Sequence, residues 1–281
     1  MKAYLQLIKL RVAALLVMVA LVAAVVSSIG PLNPLSLALL SIAGGLACIG
    51  SALLNHYFDR YIDPLMDRTK RRPLPSGRIA NPKHVFWAGL AVVAMAMVIS
   101  MQVNILTSLF VMAGAIVYVC VYTLWLKRRS PAGTVIGGLS GAFAALAGWA
   151  AMGVPPTPAP FLVALVVFLW TPPHFWSFAL ANREDYCAAG IPLLPKTAVG
   201  GYILGSTVLL VLASLAAFVS GAPFGWVYLV VTLVLGAAFV FTEGRLLVDT
   251  SSQAAWHGYK MSGVYLGALL MALMFEGLRA A

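Results

Sequence analysis

Asn55, Asp59 and Asp63, in the stretch NHYFDRYID, follow one another at strict four-residue spacing directly after a long, almost purely apolar run. On a helix that spacing drifts by about 40° per step, so one carboxamide and two carboxylates share a face. Oxygen ligands of this kind suit a hard cation such as Mg2+, which takes one or two carboxylates and completes its shell with water and phosphate oxygens. The chain then supplies the cations that a diphosphate would meet, Arg68, Lys70, Arg71, Arg72 and Arg78 within DRTKRRPLPSGR. Arginine holds phosphate oxygens in a bidentate fork. An acidic strip beside a basic loop is the outline of a metal and diphosphate site. Asp59 and Asp63 could instead pair with Arg60, Lys70 or Arg72 as solvated ion pairs worth about 0 to 1 kcal/mol each. The strict spacing, in a chain with eight acidic residues in all, favours the ligand reading. Asp67 falls beyond the expected helix end and is read as a loop residue near the site.

A second acidic group, Asn182, Glu184 and Asp185 in NREDYCAAGIP, follows a later apolar run, and a basic run, Lys127, Arg128 and Arg129, follows another. His174, in TPPHFW, lies inside an apolar segment, where an ionisable side chain is costly and marks a functional candidate. Tyr118 and Tyr122 stand one turn apart, either lining a cavity or forming part of an interfacial aromatic belt. Gly133, Gly137 and Gly141 repeat every four residues, as close helix contacts in membranes require. Cys48, Cys120 and Cys187 share no metal-ligand spacing and imply no disulfide framework. No Ser/His/Asp or Cys/His constellation calls for a nucleophilic mechanism.

These residues must be positioned by membrane helices. Of 281 residues, 62% are hydrophobic and 9% charged, with a mean hydropathy of +0.97. Such a composition excludes a soluble globular domain. A spanning helix needs about 20 apolar residues, and about nine such runs are present: Val12 to Ile29, Pro34 to Asp63, Val85 to Met101, Ile105 to Trp125, Gly133 to Met152, Pro160 to Ala181, Tyr202 to Ser220, Trp226 to Leu247 and Gly258 to Leu278. The expected fold is an all-α bundle of about nine transmembrane helices in one domain, 1–281. Asn33 and Pro34 form a helix start and Pro64 an end, so the second helix is expected to run to Asp63. Cations flank every second connection, while SSIGPLN, MQVN, GVPPTP and SGAPFG carry no charge. That asymmetry puts the N-terminus in the cytoplasm and, for an odd count, the C-terminus outside. It also accounts for the net charge of +10 without nucleic acid. The first run is too long for a signal-peptide core and lacks a clear cleavage site, so it is expected to be retained.

The blocks NHYFDRYIDPLMDRTKRRPLPSG, VYTLWLKRRSPAGTVIGGLSGAFAALAGWAA, PPHFWSFALANREDYCAAGIPLLP and WHGYKMSG cover most of the chain. Together they resemble the protoheme IX farnesyltransferase (heme O synthase) family of the UbiA-type intramembrane prenyltransferase superfamily. The resemblance implies nine helices around a central cavity open to the cytoplasmic side of the cell membrane. It implies transfer of farnesyl from farnesyl diphosphate to a vinyl group of protoheme IX, with addition of water. Asn55, Asp59 and Asp63 would hold Mg2+, and Arg72, with Lys70 and Arg71, would assist the leaving diphosphate. Asp185 would be a second metal or diphosphate contact, although the wider superfamily shows two aspartates four residues apart where this chain has Asn182, Glu184 and Asp185. His174 would contact the heme, since heme iron often takes a histidine. Lys127 and Arg128 would meet propionates or diphosphate, Arg78 and Asn182 would complete the substrate contacts, and Tyr118 and Tyr122 would line the prenyl cavity. Heme B enters as substrate, not as prosthetic group. Further implied partners are the lipid bilayer and, downstream, heme A synthase or terminal oxidase assembly factors. A quinone or chlorophyllide prenyltransferase would keep the Asn55 motif without needing the PPHFWSFA and DYCAAGIP blocks. A transporter would instead show mid-membrane charges and broken helices.

Overall fold

Asparagine caps set where several helices begin. The Asn33 side chain accepts from the Leu35 and Ser36 amides, with Pro34 in the first turn. Asn81, followed by Pro82, accepts from Lys83, and Asn104 accepts from Thr107. Each cap satisfies amides that the first helical turn leaves free, which matters most where lipid offers no alternative partner.

The computed structural model describes residues 2–220 and 223–280, with backbone alone at Lys2 and Ala280. Gly221 and Ala222, in the uncharged connection SGAPFG, lie outside the described residues. Among the described residues there are nine helices long and apolar enough to cross a membrane. They are α1 Leu10–Ser27, α2 Pro34–Asp59, α3 Pro82–Met101, α4 Ile105–Leu126, α5 Gly133–Ala151, α6 Pro158–Ala181, α7 Val199–Val219, α8 Trp226–Leu247 and α9 Ser252–Arg279. The expected all-α bundle is therefore present, and no strand occurs among the described residues.

One expectation is corrected. Helix α2 ends at Asp59, and Asp63 sits instead in a short 3-10 turn, Asp63–Leu65. Pro64 acts further upstream than its immediate neighbour: lacking an amide hydrogen, it cannot donate to the Arg60 carbonyl, and the chain has already left the α-helix by then. Asn55, Asp59 and Asp63 are thus not three rungs of one helix face.

Consecutive helices pack on one another, and α9 returns onto α1, closing the ring. Helix α1 also packs on α5, and α6 on α9. The α5 glycines allow close approach. A Cβ at Gly148 would overlap the Ala20 carbonyl of α1, and one at Gly138 would stand 2.8 Å from Thr171 Cβ of α6. Large apolar side chains such as Trp87, Trp226 and Phe241 remain exposed on the outside of the ring, where lipid is the natural solvent.

Helix α4 changes character partway. It is α-helical over Ile105–Ile116 and a π-helix over Val117–Leu126. The π segment ends on an i→i+5 bond from the Lys127 amide to the Tyr122 carbonyl, 2.8 Å. Such segments are rare and concentrate at functional sites.

Candidate active site

A cavity of about 350 Å³ opens at the bundle end that carries the basic connections. Its deeper walls are apolar, with Leu16, Val19, Leu40, Val111 and Val167 among them, and its mouth is lined by Lys9, Asn55, Asp59, Asp63, Arg72 and Lys127.

The mouth is one connected network. Asp59 Oδ2 accepts from Asn55 Nδ2 at 2.8 Å and from Lys127 Nζ. Asn55 Nδ2 also reaches Thr123 Oγ1 at 3.2 Å, and Asn55 Oδ1 accepts from Lys9 Nζ at 2.8 Å. Lys9 donates in turn to the Tyr118 hydroxyl at 2.9 Å. Asp63 pairs through both oxygens with Arg72 Nη1, each at 3.0 Å. Asp59 and Asp63 are 1% and 0% exposed. Buried carboxylates need partners, and here each has a cation.

Burial pushes the Asp63 carboxyl upward in pKa, and the Arg72 guanidinium opposes it. Burial, and then the nearby Arg72 charge, push the Lys9 ammonium down to about 8. Two polar atoms of the cavity lining, Asp59 Oδ1 and Ser51 Oγ, are buried with no hydrogen-bond partner. That free carboxylate oxygen is an open position for a hard cation such as Mg2+; the Asn55 carboxamide oxygen and both Asp63 oxygens are held by Lys9 and Arg72, and would join it by exchanging those partners. Among the described residues no three His, Cys, Asp or Glu side chains converge as a metal cluster, and the donor set is a carboxamide and two carboxylates.

The π segment serves this network. Tyr118 and Tyr122 stack at 6.0 Å between centroids and both line the cavity. Thr123 Oγ1 donates to the Tyr118 carbonyl at 2.8 Å while accepting from Asn55. Lys127, the first residue beyond it, reaches Asp59.

The remaining candidates lie elsewhere. Asp185 accepts from the Asp67 and Arg68 amides at 2.8 and 3.2 Å, so it clasps the basic loop and does not line the cavity. Lys70 pairs with exposed Asp67. Arg78 bonds Ser76 Oγ and the Arg71 carbonyl, bracing the loop. Arg128 reaches the Phe58 carbonyl, and Asn182 Nδ2 bonds the Phe178 carbonyl at the end of α6. Arg71 is exposed and does not line the cavity. His174 does line it.

Lys9, Thr123 and Tyr186 join the site although their positions in the sequence carry no such signal, Lys9 being one of the cations that precede the first span. Arg68 appeared only as one cation of the basic loop. Arg68 and Tyr186 line the cavity, and Arg68 Cζ lies 5.0 Å from the Phe178 ring centroid. Nothing in the sequence distinguishes Lys9 from any other cation before a first span. Its contacts tie Asn55 to Tyr118 across the mouth: Lys9→Ala is expected to raise the KM of the substrate that enters there about 10-fold, the loss of one charge-assisted hydrogen bond of about 1.5 kcal/mol. Steady-state kinetics at fixed acceptor concentration, with kcat read separately, checks it.

Nine membrane-length helices, with an apolar cavity between α1, α2, α4, α5, α6 and α9 and a mouth of carboxylates and cations, make the arrangement of an intramembrane transferase. The sequence matches the UbiA prenyltransferase family over residues 16–266, and the chain belongs to that family. It is accordingly an integral, multi-pass membrane prenyltransferase. It is 42% identical over 242 residues to Protoheme IX farnesyltransferase 1 of Cenarchaeum symbiosum, covering 84% of this chain and 81% of that one. Similarity to Protoheme IX farnesyltransferase of Thioalkalivibrio sulfidiphilus is 40% identity, covering 98% and 92%. The corresponding Roseiflexus castenholzii protein is 38% identical over 98% of this chain, which spans only 52%, about half, of its length. Among solved structures, a digeranylgeranylglyceryl phosphate synthase superposes with a TM-score of 0.81 at 20% identity, covering 99% and 98%. A UbiA homolog from Archaeoglobus fulgidus bound to DMAPP and Mg2+ gives 0.70 at 16%, covering 96% and 99%. At these identities the structures speak for the fold.

Proposed function

We propose that this chain, as one catalytic domain over 1–281, converts protoheme IX to heme O by transferring farnesyl from farnesyl diphosphate to a heme vinyl group, with addition of water. The observation that carries the reading is the cavity that joins the Asn55, Asp59 and Asp63 mouth to apolar walls and to His174. The names of the similar curated proteins point to the same substrates.

The allylic C–O bond breaks as the diphosphate leaves with the electron pair. Arg72, Lys127 and Lys9 line the cavity mouth and would meet the charge that collects on the leaving diphosphate. Fixed charges in a site of low polarity stabilise developing charge without reorganising. Asn55, Asp59 and Asp63 would hold Mg2+, which when bound neutralises the leaving group's negative charge. The apolar walls keep water from the allylic cation until the vinyl carbon attacks it. The cation left on the porphyrin-bound carbon then takes up water and releases a proton. Asp185 contributes by holding the loop that carries Arg72 against the α6 end. We read the cation-rich end as the cytoplasmic face of a bacterial cell membrane, with the N-terminus inside and the C-terminus outside.

The test is product analysis. Purified protein given protoheme, farnesyl diphosphate and Mg2+ is expected to yield a porphyrin heavier by one farnesyl and one hydroxyl group, identified by mass spectrometry. Turnover of a phenolic or chlorophyllide acceptor with none of protoheme would overturn the assignment.

A further inference from the structure

His174 lines the cavity apart from the charges of the mouth, and Ser262, buried behind it, completes a second constellation. The imidazole lies 4.1 Å from the Trp170 ring at 25°, and 4.4 Å from the Tyr259 ring at 31°. Two rings so close and so nearly parallel occupy its opposite faces. Its Nδ1 edge meets Ser262 Oγ at 2.6 Å. Ser262 is 0% exposed. Its hydroxyl reaches the Tyr259 carbonyl at 2.7 Å, and its own carbonyl accepts from Trp170 Nε1 at 2.8 Å. One residue of α9 therefore ties down both His174 and the tryptophan stacked on it.

The proton arrangement follows from counting hydrogens. A serine hydroxyl has one, and a carbonyl can only accept. Ser262 therefore donates to the Tyr259 carbonyl and accepts from His174 Nδ1–H. A neutral imidazole protonated at Nδ1 carries a bare lone pair at Nε2. With both faces and the Nδ1 edge covered, the Nε2 edge is what His174 offers to the cavity it lines. An imidazole whose far nitrogen is anchored through its N–H is the usual arrangement for a histidine that binds a metal.

We propose that His174 Nε2 is an axial ligand to the iron of the porphyrin substrate, and that Ser262 is the positioning residue that fixes the tautomer and ring orientation for it. This deepens the proposed function and rests on protoheme being the acceptor. The bond is a donation of the Nε2 lone pair to iron and needs no co-reactant. It gives the enzyme a means of registering the porphyrin, because a plane pinned at its centre has only rotation left to bring a vinyl group to the mouth. His174 lies about two turns from the end of α6, whereas Asp59 is the last residue of α2. Cys48 and Met66 also line the cavity, and a sulfur ligand from either would be the rival arrangement.

The test uses purified full-length protein without prenyl diphosphate, titrated with ferric protoheme and, separately, with metal-free protoporphyrin IX. Electronic and electron paramagnetic resonance spectra of the wild type are expected to show a nitrogen-ligated iron. His174→Ala is expected to lose that signature and to weaken ferric protoheme binding while leaving metal-free porphyrin binding unchanged. Ser262→Ala is expected to keep the nitrogen signature but bind ferric protoheme about 10- to 100-fold more weakly, the usual effect of removing an anchor behind a metal ligand. Equal loss of both porphyrins in either variant means that the residues only pack, and overturns the proposal. So does a wild-type spectrum of sulfur ligation, or one unchanged in His174→Ala. If His174→Ala does not fold, the comparison of the two porphyrins in Ser262→Ala decides alone. A wild type that farnesylates protoheme without a histidine-ligated spectrum refutes the ligation and leaves the function standing. One that binds neither porphyrin and makes no product refutes both.

Discussion

Asp59→Ala is expected to lower kcat/KM for prenyl transfer by about 1000-fold or more, with the protein still present in the membrane at its usual level. The size follows from what the carboxylate does. It is 1% exposed, its Oδ2 holds Asn55 and Lys127 in place, and its Oδ1 is a buried oxygen that accepts from no partner. Removing one preorganised group that faces developing charge costs about 100- to 1000-fold, and here one substitution removes a charge and loosens two neighbours. Asp59→Asn separates the effects, since it keeps the shape and an oxygen for Lys127 but loses the charge. Both variants are expected to be nearly inactive in steady-state assays, and near-normal turnover in Asp59→Asn would remove the carboxylate from the chemistry.

Arg72→Met is expected to be inactive for a different reason and to be less stable as well. Asp63 is 0% exposed, and both of its oxygens depend on Arg72 Nη1. Removing one partner of a buried pair leaves an uncompensated charge and costs about 3 to 5 kcal/mol. The apparent melting temperature should fall clearly. Adding Asp63→Asn removes the stranded charge, so the double variant should regain most of the lost stability while remaining inactive. A double variant no more stable than Arg72→Met would mean that Asp63 and Arg72 are not coupled as the geometry requires.

Both predictions rest on residues that could be read from the sequence, and the reasons differ. The helices were legible because lipid imposes one rule, long apolar runs with capped ends, and Asn33 with Pro34 announces α2 plainly. The scarcity of acids made Asn55, Asp59 and Asp63 conspicuous. What spacing could not reveal was that α2 stops at Asp59, so that Asp63 reaches the cavity from a turn and not from the helix. The basic loop was legible as a unit, but not its division of labour. Arg72 and Arg68 enter the cavity lining, while Arg78 and Lys70 hold the loop together. Sequence shows the charge of each and not its direction. Lys9 and Ser262 were missed because a cation before a span and a small hydroxyl within one each have an ordinary structural use, and only tertiary contacts give them another.

The π segment of α4 has a consequence for how this site can vary. An α-helix that faces lipid registers a substitution as a local change in surface. In Val117–Leu126 the position of Lys127 depends on how many residues are wound into the stretch before it. Losing one residue there while the winding is kept would swing the residues beyond it by about 100°, carrying the ammonium away from Asp59. The pocket is thus set partly by chain length, a quantity altered by insertion or deletion and untouched by point substitution. Related enzymes with different acceptors could differ at this stretch by a single residue of length while keeping every charged side chain.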